Sequence, residues 1–435
     1  MKRILLSIIT ITAFDFGAKA QNVNIPDANF KAYLVGNAAI NTSGDSEIQV
    51  IEATSFTGGI WCPNLSITDF TGLEAFTSVL SFYCSGNSLT NLDVSSNTAL
   101  VVLACQSNQL TSLNVSTNTA LTQLLCWGNQ LTNLDISTNT LLTKLVCSDN
   151  LLTSLNVTSN NVLDELDFRN NQVSTIGLLS NTVLDILYCG NNLLSSLSVS
   201  NNTILTKLGC EDNSISSLDI TSNVDLIYLS CGQNQLSTIS TVSNPGLTAI
   251  LCADNQLSAV DVSLNTNLSS LYCNGNTITT LDLTLNAMMT ELLCHDNQLV
   301  ILDVANGNNT NYISNNFKAT NNPSLTCINV DDASYSTTNW TNIDAGASFS
   351  TNCATSINEI ATQNISIYPN PTSYQITIDT EENIETIKII DVTGKIVETK
   401  RLTNTTINVA HLIKGLYILE IKTDNGLTHS RFIKD

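Results

Sequence analysis

The sequence has few basic residues and no long apolar run after its first twenty residues. It holds 16 Lys and Arg against 37 Asp and Glu, which gives the 435 residues a formal charge of −21. Nucleic acids and anionic lipid surfaces both require a cationic face, so neither is an expected partner. Because no later segment offers about 18 consecutive apolar residues, we expect no transmembrane segment in the mature chain.

Histidine is also scarce, with three in the whole chain. His411 and His429 lie near the C-terminus, and His295 with Asp296 has no candidate nucleophile nearby, so a catalytic triad is not expected. The chain also lacks a glycine-rich phosphate loop, a His-x-x-x-His pair, and a carboxylate pair set apart from its repeats. The sequence therefore predicts that the chain is not an enzyme.

The first twenty residues have the pattern of a signal peptide. Met1, Lys2 and Arg3 give a positive start, residues 4–14 form an apolar run too short to span a bilayer, and residues 18–20 form a small-x-small cleavage site. We therefore expect export of the chain and a mature protein that begins at residue 21.

Cysteine recurs every 21 residues from Cys84 to Cys294, with Phe168 in the single gap. An asparagine follows each of these positions three residues later, and a second asparagine ladder runs from Asn97 to Asn286. Leucines recur between the two ladders with the same period. This pattern resembles the leucine-rich repeat and predicts a solenoid of eleven coils.

The physics of one coil predicts a β-rich solenoid over residues 80–304. Each half of a coil alternates apolar and polar residues, which is the periodicity of a strand with one face inward. Each half ends at an asparagine, which we expect to form the turn and to bond free backbone groups. The cysteine column is interpreted as core because Phe168 can replace a thiol there, and a straight column offers no tetrahedral metal site.

Residues 21–79 differ from the repeats and are interpreted as an N-terminal cap that begins with a short helix. A loop in this cap resembles a degenerate EF-hand, although Ser46 stands where the family has glycine. The sequence therefore suggests calcium as the only cofactor, and the alternative is a polar turn of the cap without metal. The candidate ligands are Asn41, Ser43, Asp45, Glu47 and Glu52.

Residues 305–355 are interpreted as a C-terminal cap in which the repeat decays. Cys327 and Cys353 lie off the cysteine column near the solenoid end, so they are the best candidates for a disulfide that closes this cap. Cys62 has no evident partner.

Residues 356–435 show short strands separated by turns, which predicts a small β-sandwich. Several spaced residues in this segment form a further pattern: Tyr368, Pro369, Asn370, Pro371, Gly394, Gly415, Tyr417 and Lys434. With these residues the segment resembles the type A sorting domain of the type IX secretion system of Bacteroidetes. This resemblance implies that the secretion machinery exports the chain across the outer membrane of a Gram-negative bacterium. The domain would then be removed, and the rest released or tethered to surface polysaccharide; the alternative is an ordinary β-domain that stays attached.

Function is expected on the outward positions of the cysteine-containing strands, which vary while the scaffold is constant. A strip of aromatic and aliphatic side chains with isolated charges is typical of a recognition surface for a protein or a glycan. The predicted function is secreted or cell-surface binding or adhesion, and the alternative is a structural stalk or coat component without a specific ligand. The candidate binding residues are Tyr83, Leu125, Trp127, Asp167, Arg169, Tyr188, Tyr228, Tyr272, Leu293 and His295.

Overall fold

The computed structural model divides into two compact units, Met1–Cys353 and Ala354–Asp435. It describes residues 21–312, 316–353, 366–380, 383–392, 395–401, 405–423 and 426–435. The expected signal peptide at residues 1–20 lies outside the described residues. No helix among those described is long and apolar enough to cross a membrane.

The first unit is a solenoid in which each coil contributes one short strand to a long parallel sheet, here called the main sheet. The predicted repeat solenoid is confirmed and extends by one strand beyond the eleven regular coils at each end. Neighbouring strands pair in chain order, so equivalent residues of successive coils lie side by side. The strands are β1 (Gly59–Trp61), β2 (Ser81–Tyr83), β3 (Val102–Ala104), β4 (Gln123–Leu125), β5 (Lys144–Val146), β6 (Glu165–Asp167), β7 (Ile186–Tyr188), β8 (Lys207–Gly209), β9 (Tyr228–Ser230), β10 (Ala249–Leu251), β11 (Ser270–Tyr272), β13 (Glu291–Leu293) and β15 (Phe317–Lys318).

The second half of each coil differs from the prediction of a strand. Paired strands in this half occur only toward the C-terminal end of the described solenoid, in a four-stranded sheet. In an earlier coil, Asp93 forms a single bridge with Asn114, and its carboxylate accepts the N–H of Ser95 at 2.9 Å. The same turn bond is present where strands do pair, since Asp282 and Asp303 accept the N–H groups of Thr284 and Ala305. The paired strands are β12 (Thr280–Asp282), β14 (Ile301–Asp303), β16 (Cys327–Asn329) and β17 (Ser348–Ser350).

The core between the two halves is formed by leucines and by the cysteine column. All eleven free cysteines are buried. Cys62 directly follows β1 and belongs to this column as its first member, and Phe168 is buried at the position that lacks a cysteine. Small apolar groups stacked at the spacing of β-strands bury area in every coil, which stabilises neighbouring coils together.

Asparagine side chains join the coils through backbone groups. Asn108 Nδ2 donates to the carbonyls of Cys84 and Cys105 at 3.1 and 3.0 Å, and its Oδ1 accepts the N–H of Leu89 at 3.1 Å. Buried backbone groups that the turn would leave unpaired are satisfied in this way.

The turn residue itself is one position earlier than the sequence indicates. Ser107 and Asp149, which precede ladder asparagines, have φ of 55° and 53°, and Gly86 and Gly128 occupy the same position with φ of 65°. Left-handed backbone costs little for glycine and is tolerated by short polar residues. The ladder asparagines are therefore retained for their hydrogen bonds and not for turn geometry.

Both ends of the solenoid are covered by short helices and aromatic side chains. The N-terminal cap contains α1 (Ala28–Gly36), which Asp27 caps, then α2 (Val50–Ser55) and a 3₁₀ turn at Leu73–Ala75. The C-terminal cap contains a 3₁₀ turn at 309–311 and α3 (333–339), followed by the buried Trp340, which stacks on Phe317 with ring centroids 4.2 Å apart. Cys327 and Cys353 form a disulfide with their Cα atoms 5.7 Å apart.

The second unit contains two antiparallel sheets around a core that includes Ile376, Ile389 and Phe432. This arrangement agrees with the β-sandwich expected from the sequence. The three-stranded sheet has the order β18-β19-β22, and the four-stranded sheet has the order β21-β20-β23-β24. The strands are β18 (Ser366–Tyr368), β19 (Gln375–Asp379), β20 (Ile384–Asp391), β21 (Ile396–Lys400), β22 (Thr406–Asn408), β23 (Gly415–Thr423) and β24 (Gly426–Lys434).

Candidate functional site

The outward side chains of the main sheet form three columns, here called the outer face. In β3 the inward residue is Leu103, with Cys105 after the strand, so Val102, Ala104 and Gln106 point to the other side. Parallel pairing repeats these positions from strand to strand. Each column therefore places equivalent residues about 4.8 Å apart along the sheet.

The centre of the outer face carries a charged and aromatic cluster. Arg169 donates through Nε and Nη2 to both carboxylate oxygens of Asp167, at 3.0 and 2.7 Å. Its guanidinium carbon lies 4.7 Å from the centroid of the Tyr188 ring. The bidentate pair fixes the guanidinium over the ring, where a cation–π contact adds about 0.5–1 kcal/mol. Asp167, Arg169 and Tyr188 are thus brought together by β6 and β7.

Tyr228 lies on β9, close enough to this cluster for electrostatic coupling. Burial and the nearby Glu211 carboxylate raise the pKa of Tyr228, and burial and Tyr228 itself raise the pKa of Tyr188. Both phenols therefore stay protonated and can donate hydrogen bonds at neutral pH.

Two features of this centre were missed in the candidate set. Glu211 lies in the third column, and Gly190, Gly209 and Gly232 surround it in the sheet. The sequence signal for this feature is the group of three glycines at neighbouring positions of consecutive coils. Glycine within a strand often marks a place where another group packs directly on the backbone.

Tyr83 lies at the N-terminal end of the outer face, far from the centre. Its ring stacks on exposed Trp61 with centroids 3.7 Å apart. Five strand spacings separate β2 from β7, so Tyr83 and Tyr188 are about 24 Å apart along the sheet. Trp61 was missed because Cys62 stands 22 residues before Cys84, one more than the period.

The C-terminal part of the outer face carries Tyr272, Leu293 and His295. The Tyr272 hydroxyl donates to Glu291 Oε2 at 2.8 Å, and Leu293 is half-buried beside it on the neighbouring strand. Burial and the nearby Lys318 lower the pKa of His295, so its imidazole is neutral at pH 7. These residues belong to the same face as the central cluster but make separate contacts.

Leu125 and Trp127 lie between the N-terminal end and the centre. Leu125 is half-buried in β4, and Trp127 is 38% exposed just after it. Together with Tyr83 and the C-terminal group, they give the outer face a discontinuous apolar strip. The ten candidate residues therefore share one face and do not converge on one pocket.

In the cap loop the side-chain oxygens are occupied by hydrogen bonds. Glu52 accepts the N–H groups of Ser43 and Gln49, at 2.7 and 2.9 Å, and Asn41 Oδ1 accepts the N–H of Gly44. The remaining carboxylates are also engaged, since Asp45 accepts from the backbone N–H of residue 47 and Glu47 pairs with Lys31 at 2.7 Å. Calcium would have to displace these bonds, and its binding stays a prediction.

The cysteine column has the properties of core thiols. Burial raises the pKa of Cys105 and of Cys252 to about 12, so both stay protonated at neutral pH. Thiolates are the reactive and metal-binding form, and protonated buried thiols are inert. Among the described residues no group of three or more His, Cys, Asp or Glu side chains is arranged to hold a metal ion.

The sorting-signal residues lie at the strand ends of the second unit, except Gly394, which is outside the described residues. Asn370, between Pro369 and Pro371, accepts the N–H of Ile433 at 2.8 Å and donates to the carbonyl of Arg431 at 3.1 Å. This side chain ties the entry of the unit to its last strand. Tyr368 is exposed at the end of β18, Gly415 begins β23, Tyr417 packs on Phe432, and Lys434 ends β24.

Each of the three histidines lies beside a carboxylate. His411 and His429 each approach a glutamate of the second unit, Glu398 at 3.3 Å and Glu420 at 3.5 Å. His295 lies 3.6 Å from Asp296, with its Nδ1 buried and without a hydrogen-bond partner among the described residues.

The family of secretion system C-terminal sorting domains matches residues 366–435. The predicted type IX sorting domain is confirmed by this match. The chain is accordingly secreted or presented at the cell surface, and the secretion machinery is a partner. No curated protein matches the chain.

Solved structures with the same repeat architecture support the solenoid. The functional domain of InlJ from Listeria monocytogenes, which includes a cysteine ladder, is 27% identical with a TM-score of 0.64, and the match covers 95% of this chain and 98% of that one. An internalin, inlF, from the same organism is 21% identical with a TM-score of 0.55, covering 63% of this chain and 91% of that one. The leucine-rich-repeat protein LIC12759 from Leptospira interrogans is 20% identical with a TM-score of 0.51, covering 58% and 76%.

Proposed function

We propose that this leucine-rich-repeat chain with its secretion sorting domain is a non-enzymatic binding protein. It acts outside a Gram-negative bacterium, either tethered to surface polysaccharide or released. It recognises a protein or a glycan through the outer face of the main sheet.

The main support for this proposal is the charged and aromatic cluster at the centre of the outer face, whose side chains are held in place before any ligand binds. Asp167 holds Arg169 in a bidentate pair over the Tyr188 ring, and Tyr228 stands two strands away. Tyrosine and arginine dominate the binding energy of most interfaces, and side chains fixed before binding lose less entropy when a ligand arrives. A scaffold that supplied only length would have no use for such an arrangement.

The distribution of the other candidates supports a large ligand over a small molecule. The outer face carries aromatic groups at both ends, Trp61 with Tyr83 and Tyr272 with Glu291, about 43 Å apart across nine strand spacings. An extended row of separate contacts fits a protein surface or a polysaccharide, whereas a small ligand requires one enclosed pocket.

An array of glycans and extracellular protein fragments, probed with residues 21–435, tests the proposal. We expect retained ligands whose binding falls at least tenfold when Tyr188, Tyr228 and Tyr272 are changed together to Ala. Tyr374→Ala is the matched control, because Tyr374 is 75% exposed on the second unit and lies outside the main sheet.

The structural alternative predicts a different result in the same experiment. A stalk or coat component would give no retained ligand on any array. The triple tyrosine variant would then leave the surface phenotype of the cells unchanged, and that pair of results would overturn the proposed function.

A further inference from the structure

At the centre of the outer face three neighbouring positions carry no side chain, and this patch of backbone, with the side chains packed on it, is here called the depression. Gly209 lies on β8, and Gly190 and Gly232 lie two residues after the ends of β7 and β9, where other coils carry side chains. The Glu211 carboxylate lies down into this depression. A Cβ added at Gly190 would lie 2.5 Å from Glu211 Oε1, and one added at Gly209 would lie 3.2 Å from Oε2. A side chain at Gly190 would therefore displace the carboxylate from this position.

One carboxylate oxygen of Glu211 is unsatisfied. Oε2 is buried and has no hydrogen-bond partner among the described residues. Leaving a buried acceptor unpaired is unfavourable, and the cost is greater for a charged group. A cationic ligand beside the carboxylate would offset that cost upon binding.

The described residues give Glu211 no cationic partner. Arg169 donates through Nε and Nη2 to Asp167, and within the described part of the chain no ion pair joins Glu211 to Arg169 or to Lys207. Asp167 and Arg169 cancel each other, so Glu211 gives the depression a net negative charge. The whole chain, at −21, adds a field of the same sign.

The walls of the depression are aromatic. The Tyr188 ring leans over Gly209, with its Cδ1 2.8 Å from the position of an added Cβ, and Tyr228 lies on the next strand. Aromatic rings beside a carboxylate suit a long cationic side chain, whose methylenes pack on the rings while its charged end reaches the acid.

We propose that this depression is a subsite for a lysine or arginine side chain of a partner protein, with Glu211 as the acceptor. The inference rests on the proposed function and deepens it, because it assigns a protein chemistry to one part of the outer face. Gly190 and Gly209 are the residues that make the subsite, and Tyr188 and Tyr228 flank it.

A library of random dodecapeptides displayed on phage, selected on the full chain, tests this inference. We expect the retained peptides to share a Lys or Arg whose change to Ala abolishes binding. Glu211→Gln, which keeps the packing and removes the charge, should weaken these peptides at least tenfold. Gly190→Ala should weaken them as well, because its Cβ would displace the carboxylate.

Glu165→Gln is the matched control on the same face. The Glu165 carboxylate already pairs with Lys144 at 2.7 Å, so its loss should leave peptide affinity within twofold of the wild-type value. Equal losses for Glu165→Gln and Glu211→Gln would show general charge attraction and would overturn the subsite.

Two further results separate this inference from the proposed function. Peptides that lose binding with Tyr188→Ala but not with Glu211→Gln would overturn the subsite and leave the outer face as the binding surface. A library from which the chain retains no peptide would also overturn the subsite, and the array of glycans would then decide the proposed function.

Discussion

The ladder asparagine three residues after each cysteine shows how one side chain can fix the shape of a coil. Asn171 Nδ2 donates to the carbonyls of Cys147 and Phe168 at 3.1 and 3.0 Å, and its Oδ1 accepts the N–H of Leu152 at 2.9 Å. Asn156 in the same region accepts from Thr158 on the exposed surface. The two asparagines therefore differ in burial and in the number of backbone groups that depend on them.

Asn171→Ala should lower the free energy of unfolding by about 2–3 kcal/mol, because it leaves buried donors and acceptors of two coils unpaired. Asn156→Ala removes two exposed hydrogen bonds from Thr158, which water can replace, and should cost under about 1 kcal/mol. Urea unfolding followed by circular dichroism measures both. Equal losses would contradict the role assigned to the ladder.

The buried thiols make a prediction about alkaline pH. Burial raises the pKa of Cys105 and Cys294 to about 12 in the folded chain, whereas an unfolded thiol has a pKa of about 8.5. Folding stability from a raised pKa is complete below the unfolded value and is lost as pH rises toward the folded one. Between these two pKa values, each such thiol lowers the free energy of unfolding by about 1.4 kcal/mol per pH unit, and the effects of several thiols add.

We therefore expect urea stability to fall steeply between pH 9 and pH 10.5, by several times the loss that a single thiol would give. Thiol labelling with Ellman's reagent at pH 8 should detect none of the eleven free cysteines in the native chain and all of them after unfolding. Rapid labelling of the native chain would refute the interpretation of the column as core.

For single residues, the sequence predicts the features that recur in every coil, and it does not predict the contacts that occur in one coil only. The 21-residue period reveals the cysteine column and both asparagine ladders directly. It does not show that the left-handed residue precedes the asparagine, since Ser107, Asp149 and Gly86 share no side-chain chemistry. It also cannot show that Glu211 folds down over Gly190, because that contact depends on side-chain direction.

Among the elements, the N-terminal cap loop is organised around Glu52. Burial opposes ionisation of this side chain, but hydrogen bonds from Gln49 and Ser43 outweigh it and lower its pKa. Its stabilising contribution is therefore complete above the unfolded pKa of about 4.3 and is lost as pH falls below it. The same bonds hold the loop and the start of α2 without any ion.

Glu52→Gln should lower the melting temperature of the cap in the absence of calcium, since the amide cannot accept at both of its terminal atoms. Differential scanning calorimetry with 1 mM calcium chloride, or with chelator, tests the calcium hypothesis on the same samples. A wild-type melting temperature that rises with calcium would support the calcium hypothesis. Identical melting curves with calcium and with chelator would contradict it.

The two halves of a coil show the limit of sequence patterns at the element scale. Both halves alternate apolar and polar residues, so the sequence predicts a strand in each. Asp93 and Asn114 form a single bridge, whereas Asp282 and Asp303 lie in paired strands near the C-terminal end. All four side chains accept the N–H group two residues further on, so this bond does not distinguish the two cases. The alternation of apolar and polar residues indicates which side chains point inward. It does not indicate which backbone groups form hydrogen bonds between coils.

The whole chain combines a solenoid with a sorting domain, and its expected location depends on the second unit. Deleting residues 366–435 should retain the chain inside the cells of a host that has type IX secretion, because the matched sorting domain is absent. Immunoblots of culture medium, cell surface and periplasm measure the distribution. Unchanged export of the truncated chain would contradict the assigned route.

The whole-molecule fold could be predicted almost entirely from the sequence because a repeated coil specifies its neighbours. The function could be predicted only as a face, since the candidate residues Tyr83, Tyr188 and Tyr272 lie on different strands and meet no common pocket. The structure shows in addition which of these outward residues contact one another, as Asp167 and Arg169 do.

The most direct test of the account is hydroxyl-radical footprinting of the mature chain, alone and with a ligand retained from the arrays. We expect the ligand to lower oxidation of Tyr188, Tyr228 and Trp127 on the outer face. Oxidation of Leu141 and Val162, which are exposed away from that face, should be unchanged. Protection of Leu141 and Val162 with unaltered Tyr188 and Tyr228 would contradict the claim that the outer face of the main sheet binds the ligand.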